Sequence, residues 1–310
     1  MRSFVLVMLL LAACDKKSKP EGDGSGGSGS GSGSGSAVAS GSGSASVQVA
    51  AQFDKQCVAG DLEACRNLGV LYAEGIGVTK DLRRALALLA QACNGNALAA
   101  CNHMAMLFSE GIGIDQDLQK ASELFGKACD GNHGLACRNL GLMLRDGRGV
   151  PKDLARAEQL LDKACTAKAP FACTNAGDLD AIVAPTLAAK ERAPRWKKMT
   201  THYQAGCTAD DPSACRQLGI AYLEGKGLPK TLGAAAVWLG KACPADPKAA
   251  IDPLGCRLLG VMKLNGAGTP RDEAAGKAAL KRACDRKDSE ACAVLAKLGS
   301  TAPGSGSAKL

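Results

Sequence analysis

Residues 93–117 read CNGNALAACNHMAMLFSEGIGIDQD, and residues 129–153 repeat this pattern thirty-six positions later as CDGNHGLACRNLGLMLRDGRGVPKD. Each copy opens with two cysteines eight positions apart, continues with an apolar pattern typical of a helix, and closes with a Gly-x-Gly loop. Self-similarity at such a period indicates an array in which each unit packs only on its neighbours. This repetition decides the fold.

The cysteine spacing extends the period through most of the chain. The first cysteine of a couple stands at positions 57, 93, 129 and 165, and the second at 65, 101, 137 and 173. Relative to the regular spacing, six extra residues lie between Cys173 and Cys207, and five extra residues lie between Cys243 and Cys256. The array is therefore regular with two local insertions, and the longer one predicts an irregular unit over 174–206.

Within a unit the residue pattern predicts two helices. From Cys65 to Tyr72 the apolar and small residues fall at i, i+3, i+4 and i+7, which is one face of a helix. Gly75 supplies a left-handed helix stop, and Asp81 is a natural N-cap for a second apolar helical pattern over 82–93. Two helices per unit joined by a tight loop predict an all-α solenoid of αα-hairpins, each about 36 residues long.

The loop residues resemble a known repeat family. LGVLYAEGIGV at Leu68–Val78 and LGIAYLEGKGL at Leu218–Leu228 resemble Sel1-like repeats, and the added cysteine couples resemble a cysteine-rich branch typified by the Helicobacter cysteine-rich proteins. The resemblance covers about 53–298 and implies a right-handed, TPR-like solenoid. It weakens where Ile182–Pro185 replaces the Gly-x-Gly loop.

The cysteine couples predict local disulfides. Cysteines eight positions apart on one helix would lie about 12 Å apart along its axis, whereas a disulfide needs Cα atoms within about 7 Å. The chain must therefore turn between them, and Asn94–Asn96 (Asn-Gly-Asn) has turn chemistry. Zinc sites favour shorter cysteine spacings with histidine partners, so we expect no metal. The predicted bonds are Cys57–Cys65, Cys93–Cys101, Cys129–Cys137, Cys165–Cys173, Cys207–Cys215, Cys243–Cys256 and Cys284–Cys292.

The N-terminal residues read as an export signal followed by a linker. Met1–Cys14 combines an early arginine with a short apolar run, and its last four residues, LAAC, resemble the lipobox of bacterial lipoproteins. That resemblance implies cleavage after residue 13 and lipidation of Cys14; the alternative is a plain secretory signal. We expect a Gly/Ser-rich disordered tether over 14–45, the solenoid over 46–298 as about six hairpins with half-repeat caps, and a disordered tail over 299–310.

Composition narrows the location and the partners. Fifteen cysteines indicate an oxidising compartment. A net charge of +8 without a long basic run argues against nucleic acid as a partner. We expect a monomer in the bacterial cell envelope, held to the membrane by its lipid and facing the periplasm or the cell surface, with no cofactor.

The first helices carry the candidate ligand-binding residues. The positions one and two after the second cysteine of each couple would align as an arginine row beside a row of mostly amide side chains. Such rows can hold an extended peptide and grip carboxylates, although a solvated helix face is the other interpretation. The candidates are Arg66, Asn67, His103, Arg138, Asn139, Asn175, Arg216, Gln217 and Arg257. Separately, basic residues flank Trp196 and suggest a local anionic contact, a membrane-surface patch or an exposed helix face; they are Arg192, Arg195, Lys197 and Lys198.

Two functions follow from these patterns. The first is a lipid-anchored scaffold whose groove binds a peptide, a protein or a cell-wall fragment. The second is a β-lactam-binding or β-lactam-hydrolysing enzyme, which the resemblance to the cysteine-rich branch implies. The sequence identifies no catalytic residues: a Ser-x-x-Lys motif is missing from the predicted solenoid, and a Lys-Thr-Gly motif is missing from the chain.

Overall fold

The computed structural model describes residues 42–111 and 113–300. The predicted signal peptide, Cys14, the tether up to residue 41 and the tail from residue 301 lie outside these residues. The described part contains fourteen α-helices, one short 3-10 helix and no strand. The α-helices are α1 Ser42–Val58, α2 Leu62–Glu74, α3 Leu82–Asn94, α4 Leu98–Glu110, α5 Leu118–Asp130, α6 Gly134–Asp146, α7 Leu154–Thr166, α8 Ala172–Val183, α9 Ala189–Thr208, α10 Pro212–Glu224, α11 Leu232–Ala242, α12 Pro253–Asn265, α13 Glu273–Asp285 and α14 Ser289–Ser300.

Consecutive helices pair into six antiparallel hairpins. The pairs are α2–α3, α4–α5, α6–α7, α8–α9, α10–α11 and α12–α13, and each second helix also packs on the first helix of the next hairpin. A single helix stands at either end: α1 occupies the place of a second helix, and α14 the place of a first helix. The predicted all-α solenoid of αα-hairpins is confirmed.

The two glycines of each loop have different roles. The first glycine, such as Gly75 with φ 76°, adopts the left-handed conformation that ends the first helix. The second glycine, such as Gly77, lies against the second helix of the preceding unit, because a Cβ there would fall 2.3 Å from the backbone oxygen of Ser46. The loop therefore ends one helix and also sets the spacing between units.

A glycine on the first helix brings the two helices of a hairpin together. A Cβ on Gly141 would lie 2.9 Å from Leu161 Cγ, and a Cβ on Gly69 would lie equally close to Leu89 Cγ. Leu89 and Leu161 are fully buried. Close helix contact explains a glycine whose propensity costs a helix about 1 kcal/mol relative to alanine.

Seven disulfides join successive units. Each links the end of one second helix, or of α1, to the next first helix, and the Cα atoms are 4.5–4.8 Å apart. The turn between bonded cysteines often uses a residue with positive φ, such as Asn96 at 73° or Asn132 at 69°. On the chain-entropy model each nine-residue loop stabilises the fold by about 2.5 kcal/mol. The bonds are Cys57–Cys65, Cys93–Cys101, Cys129–Cys137, Cys165–Cys173, Cys207–Cys215, Cys243–Cys256 and Cys284–Cys292.

The fourth hairpin departs from the others, as its missing loop predicted. A 3-10 turn at Ala184–Thr186 follows α8, and α9 is 20 residues long where the neighbouring second helix α7 has 13. Asp180 of α8 is a carboxylate with 1% of its surface exposed, in the position where the first hairpin has Tyr72. A buried carboxylate needs charged partners, and the longer helix provides them.

Those partners form an ionic cluster between α7, α8 and α9. Arg195 donates two hydrogen bonds to Glu158, at 2.6 and 2.8 Å. Its Nε also lies 2.9 Å from Asp180 Oδ1, although the N–H is not aimed at that oxygen, so this contact is an ion pair without a hydrogen bond. Lys198 contacts Glu158 and lies 2.8 Å from Asp162. Arg195 and Lys198 are therefore paired with carboxylates of neighbouring helices, which corrects the exposed-face interpretation for these two, whereas Arg192 and Lys197 are exposed.

His202 completes the cluster. Its ring nitrogens lie 2.8 Å from Asp180 Oδ2 and 3.3 Å from Asp162 Oδ1. Burial lowers the pKa of His202, but the close contact with Asp162, the hydrogen bond to Asp180 and the charge of both carboxylates outweigh this and raise the pKa from 6.5 to about 9. The His202 ring is therefore protonated at neutral pH, and its charge lies between the carboxylates of Asp162 and Asp180.

Replacing Gly141 with valine tests the close helix contact. We expect Gly141→Val to lower the free energy of unfolding by about 2–3 kcal/mol, because the new side chain overlaps Leu161 in a packed core. The same change at Gly240 is the control, since no atom lies within 4 Å of a Cβ there. Denaturant titration of the oxidised proteins measures both, and equal effects at the two sites would contradict the packing argument.

His202 gives the fold a defined pH dependence. Its raised pKa means that its stabilising contribution is complete below pH 6.5 and is lost as pH rises through about 9. The stability difference between wild type and His202→Gln should therefore shrink on the order of 3 kcal/mol between pH 6.5 and 9.5. Denaturant titration across this range measures it. His133→Gln, at a histidine whose pKa burial lowers, should show no such change above pH 7.

Candidate functional site: the inner face of the first helices

The first helices lie on the inner side of the curved array. Neighbouring first helices contact one another at α2–α4, α6–α8, α8–α10 and α10–α12. Across the described residues, no two second helices approach each other to the same extent. The second helices therefore diverge on the outer side, and the predicted binding residues belong to helices that line the inner side.

Three arginines of the predicted row are neutralised within the solenoid. Arg66 pairs with Glu63 at 2.8 Å. Arg216 lies 3.0 Å from Asp252 Oδ2, and Asp252 is the N-cap of the next first helix, α12. These side chains already have carboxylate partners, so their charge is not available to a ligand without breaking a pair.

Arg257 repeats this link at the end of the array. It lies 3.1 Å from Asp288, which caps α14, and it also contacts Glu290. In the fourth hairpin, Thr174 donates to the capping residue Asp211 from the same position. Arg216 and Arg257, and Thr174 at the same position, therefore join three of the units to the N-cap of the next first helix. These contacts could have been predicted from the sequence, because the next unit after each of these positions carries an aspartate four residues before its second cysteine.

Arg138 is different because it pairs neither with a capping aspartate nor, as Arg66 does, with a glutamate of its own helix. The capping position of α8 is Phe171, and the Arg138 guanidinium lies 5.9 Å from the centre of that ring. It donates to Asn175 Oδ1 at 2.6 Å and to Asn139 Oδ1 at 3.4 Å. Among the described residues no carboxylate lies within 4 Å of it. Burial lowers the pKa of Arg138, but an arginine remains charged at neutral pH.

The amide row joins Arg138 in a group that crosses three units. Asn139 donates to Asn102 Oδ1 at 3.3 Å, and Asn102 is only 3% exposed. Asn102, Asn139 and Asn175 belong to α4, α6 and α8, so their contacts connect three successive hairpins. The structure thus brings together Arg138, Asn139 and Asn175 and adds Asn102, which the sequence analysis did not select.

The other members of the amide row lie apart from this group. Asn67 is half-buried on α2, and Gln217 on α10 donates to Asp178 at 3.3 Å. His103 on α4 is half-buried, and its Nδ1 has no hydrogen-bond partner among the described residues. Burial together with Arg66 and His133 lowers the pKa of His103, while the nearby Ala99 carbonyl raises it without hydrogen-bonding geometry. The net result is a neutral ring at neutral pH.

An apolar strip accompanies the polar group one helical turn away. Met106 is 37% exposed and follows Asn102 at i+4, while half-buried Leu142 follows Arg138 at the same spacing. The strip ends at Asp178, which accepts a hydrogen bond from the Tyr203 hydroxyl at 2.9 Å. Burial raises the pKa of Asp178 more than its hydrogen bonds lower it. The inner face of α4 and α6 thus combines an unmatched cation, amides and apolar surface.

Two further properties bear on what the described residues can do. No cluster of three or more histidine, cysteine, aspartate or glutamate side chains is arranged to hold a metal ion in 42–111 or 113–300. In the same ranges no helix has the length and apolar character needed to cross a membrane.

Comparison with solved structures gives the same fold. The c5321 protective antigen of uropathogenic Escherichia coli, described as displaying an SLR fold, aligns with a TM-score of 0.70 at 23% identity over 80% of this chain and 51% of that one. This chain therefore spans about half of that protein. A Sel1 repeat protein from Oxalobacter formigenes aligns with a TM-score of 0.63 at 22% identity, over 73% of this chain and 89% of its own. Helicobacter pylori cysteine rich protein B is 26% identical over 41% of this chain and 92% of its own, with a TM-score of 0.35.

The family model for the Sel1 repeat matches five segments, which together make up more than half of the chain. They are residues 62–96, 98–133, 134–168, 212–250 and 253–288. The irregular hairpin α8–α9 falls between the third and fourth matches. A search of curated proteins finds no match. With the hairpin register, the loops and the family model in agreement, this chain belongs to the Sel1 repeat family.

Proposed function

We propose that this Sel1 solenoid is a scaffold that binds a protein partner through an extended peptide segment on the inner face of α4, α6 and α8. The observation that carries the proposal is Arg138, whose charge has no carboxylate partner among the described residues while Arg66, Arg216 and Arg257 each have one. A ligand carboxylate would complete this pair.

The surroundings of Arg138 favour a peptide over a small anion. Asn139 and Asn175 offer amide groups that can pair with a peptide backbone. Met106 and Leu142 supply apolar contacts one turn along the helices. The ligand class that fits is a peptide with a carboxylate, from a side chain or a C-terminus, next to one or two apolar side chains.

The proposed location in the cell envelope rests on the disulfides and on the predicted signal peptide. Seven disulfides are typical of a protein in an oxidising compartment, which is consistent with the cell envelope. The lipobox resemblance at residues 11–14 supports the further proposal that Cys14 is lipidated and that the Gly/Ser-rich segment after it links the solenoid to a membrane. Mass spectrometry of the protein from native envelopes tests the lipid.

We propose that the folded solenoid spans about residues 46–298, which is close to the range covered by α1 to α14. Helix α1 begins at Ser42, four residues before the expected start at 46, and α14 ends at Ser300, two residues after the expected end at 298.

Nothing in the geometry of the described residues favours β-lactam hydrolysis over peptide binding. A nitrocefin assay on the oxidised protein tests the enzyme alternative, because turnover well above the rate in buffer would favour β-lactam hydrolysis.

Neutralising Arg138 should weaken peptide binding. The probe is an array of ten-residue peptides that carry apolar residues beside a free carboxylate, each paired with its amidated or Glu→Gln counterpart. We expect the wild-type protein to prefer the carboxylate member, and Arg138→Gln to weaken that binding about 10- to 100-fold, because a charge-assisted hydrogen bond contributes about 1.5–3 kcal/mol.

Arg66→Gln is the matched control. Arg66 occupies the same row but is paired with Glu63, so its loss should change binding less than about threefold. Equal losses for the two variants, or no preference for the carboxylate peptides, would contradict the proposed role of Arg138. Circular dichroism and thiol titration check that both variants keep the oxidised fold.

A further inference from the structure

The first end of the solenoid leaves a helix face uncovered. Helix α1 holds the place of a second helix, and no first helix precedes it among the residues that the structure describes. Val49 on α1 is 43% exposed, and Phe53 is half-buried. Their equivalents in the six hairpins are all buried against a first helix. At the position of Val49 these are Ala85, Ala121, Ala157, Met199, Ala235 and Gly276, and at that of Phe53 they are Leu89, Phe125, Leu161, Tyr203, Leu239 and Leu280.

The other end leaves the opposite kind of face uncovered. Helix α14 holds the place of a first helix, and no second helix follows it among the described residues. Leu295 is half-buried and Ala296 is exposed. The residues equivalent to Ala296 are buried against a second helix in every hairpin: Gly69, Ala105, Gly141, Gly177, Gly219 and Gly260. Terminal units of a solenoid usually present a polar outer face, and these two do not.

The two uncovered faces are the two halves of one hairpin. Gly69 and Leu89 show the contact at the centre of a hairpin, because a Cβ on Gly69 would lie 2.9 Å from Leu89 Cγ. In the second hairpin, α4–α5, these two positions hold Ala105 and Phe125, which are both buried. The two terminal helices of the described solenoid hold the same combination, Ala296 on α14 and Phe53 on α1.

The larger side chain of Val49 is compatible with this packing. Most hairpins have alanine at its position, but α9 has Met199, which is 3% exposed. The first helix in that hairpin carries Gly177 at the close contact, and α14 carries Ala296, as α4 carries Ala105. A side chain longer than alanine is therefore already accommodated once in this array.

We propose that α14 of one copy packs against α1 of a second copy, so that the two half-units form a seventh hairpin and the solenoid continues from copy to copy. The contact would extend an interface that the chain already makes six times within itself. This inference replaces the monomer expected from the sequence. Because the two surfaces differ, the contact is head-to-tail and leaves one free end on each side of the assembly.

The size of the contact sets its strength. A single pair of short helices buries less surface than the roughly 1,600 Å² of a standard protein interface. The association is therefore weak in dilute solution and increases with protein concentration. It does not depend on ligand binding, because the inner face near Arg138 is not part of it.

Two charged variants test the head-to-tail arrangement. Val49→Lys blocks the α1 end and Ala296→Glu blocks the α14 end, each by placing a charge in the apolar contact. The samples are the purified oxidised chain from residue 15 onward, so that neither the apolar leader nor Cys14 contributes to association. Sedimentation equilibrium over a wide concentration range should show a rising average mass for the parent chain. For each variant the dissociation constant should increase at least about tenfold.

The mixture of the two variants gives the decisive result. The Val49→Lys chain keeps an intact α14 end and the Ala296→Glu chain keeps an intact α1 end, so an equimolar mixture should form two-chain complexes and nothing larger. Val237→Lys is the control, since Val237 is 61% exposed on α11 away from either end, and it should associate like the parent.

Three outcomes would overturn the proposal. The first is a parent chain that stays at the mass of one copy up to the highest concentration. The second is association of Ala296→Glu alone to the parent level, which would indicate contact between two α1 helices. The third is a mixture that stays monomeric although the parent associates. Circular dichroism of each variant establishes that the fold is retained, so none of these results would reflect unfolding.

Discussion

The geometry of the junction between units governs the rest of this structure. A second helix ends at or next to a cysteine and the chain reverses. The next first helix then begins before the paired cysteine, which lies eight positions later in six of the seven pairs and thirteen in the other. The Cα atoms of each pair then lie 4.5–4.8 Å apart, a distance that one continuous helix cannot provide. Once this reversal is fixed, the angle between successive hairpins is fixed with it, and so is the curvature that brings the first helices together.

Polar side chains reinforce several of these junctions from both sides. On the outer side, Lys127 donates to the Cys93 carbonyl at 3.1 Å, and Lys163 donates to the Cys129 carbonyl at 2.8 Å. Each lysine reaches back one unit to a carbonyl at the end of a helix, where a cation is favourable. On the inner side, Arg216 holds the capping aspartate of the next unit. A junction of this kind combines a covalent bond with charged contacts to two helix ends.

Much of this architecture could be predicted from the sequence, because the repeat period, the Gly-x-Gly loops and the cysteine spacing are local patterns. The candidate binding residues were also found by their position in the repeat. Their chemical state was not predictable in the same way. Arg138 and Arg216 occupy equivalent positions, and only the three-dimensional contacts show that one faces Phe171 while the other is paired with Asp252. Similarly, Arg195 and Lys198 looked exposed because their partners come from α7 and α8, up to 40 residues away in the sequence.

The irregular hairpin connects these observations. The position equivalent to the capping aspartates of α10 and α12 holds Ala169 here, and Phe171 caps α8, so Arg138 of the preceding unit has no carboxylate within 4 Å among the described residues. The same hairpin places Asp178 at the end of the apolar strip, and it pairs the buried Asp180 with Arg195 and His202. A fourth unit with a capping aspartate like that of α10 or α12, and with an apolar residue at position 178 as in the other units, would offer Arg138 a carboxylate and continue the apolar strip. The loss of regularity at α8–α9 is therefore what distinguishes one place on an otherwise uniform inner face, and an array with a single distinguished place can bind one segment of a partner in a defined register.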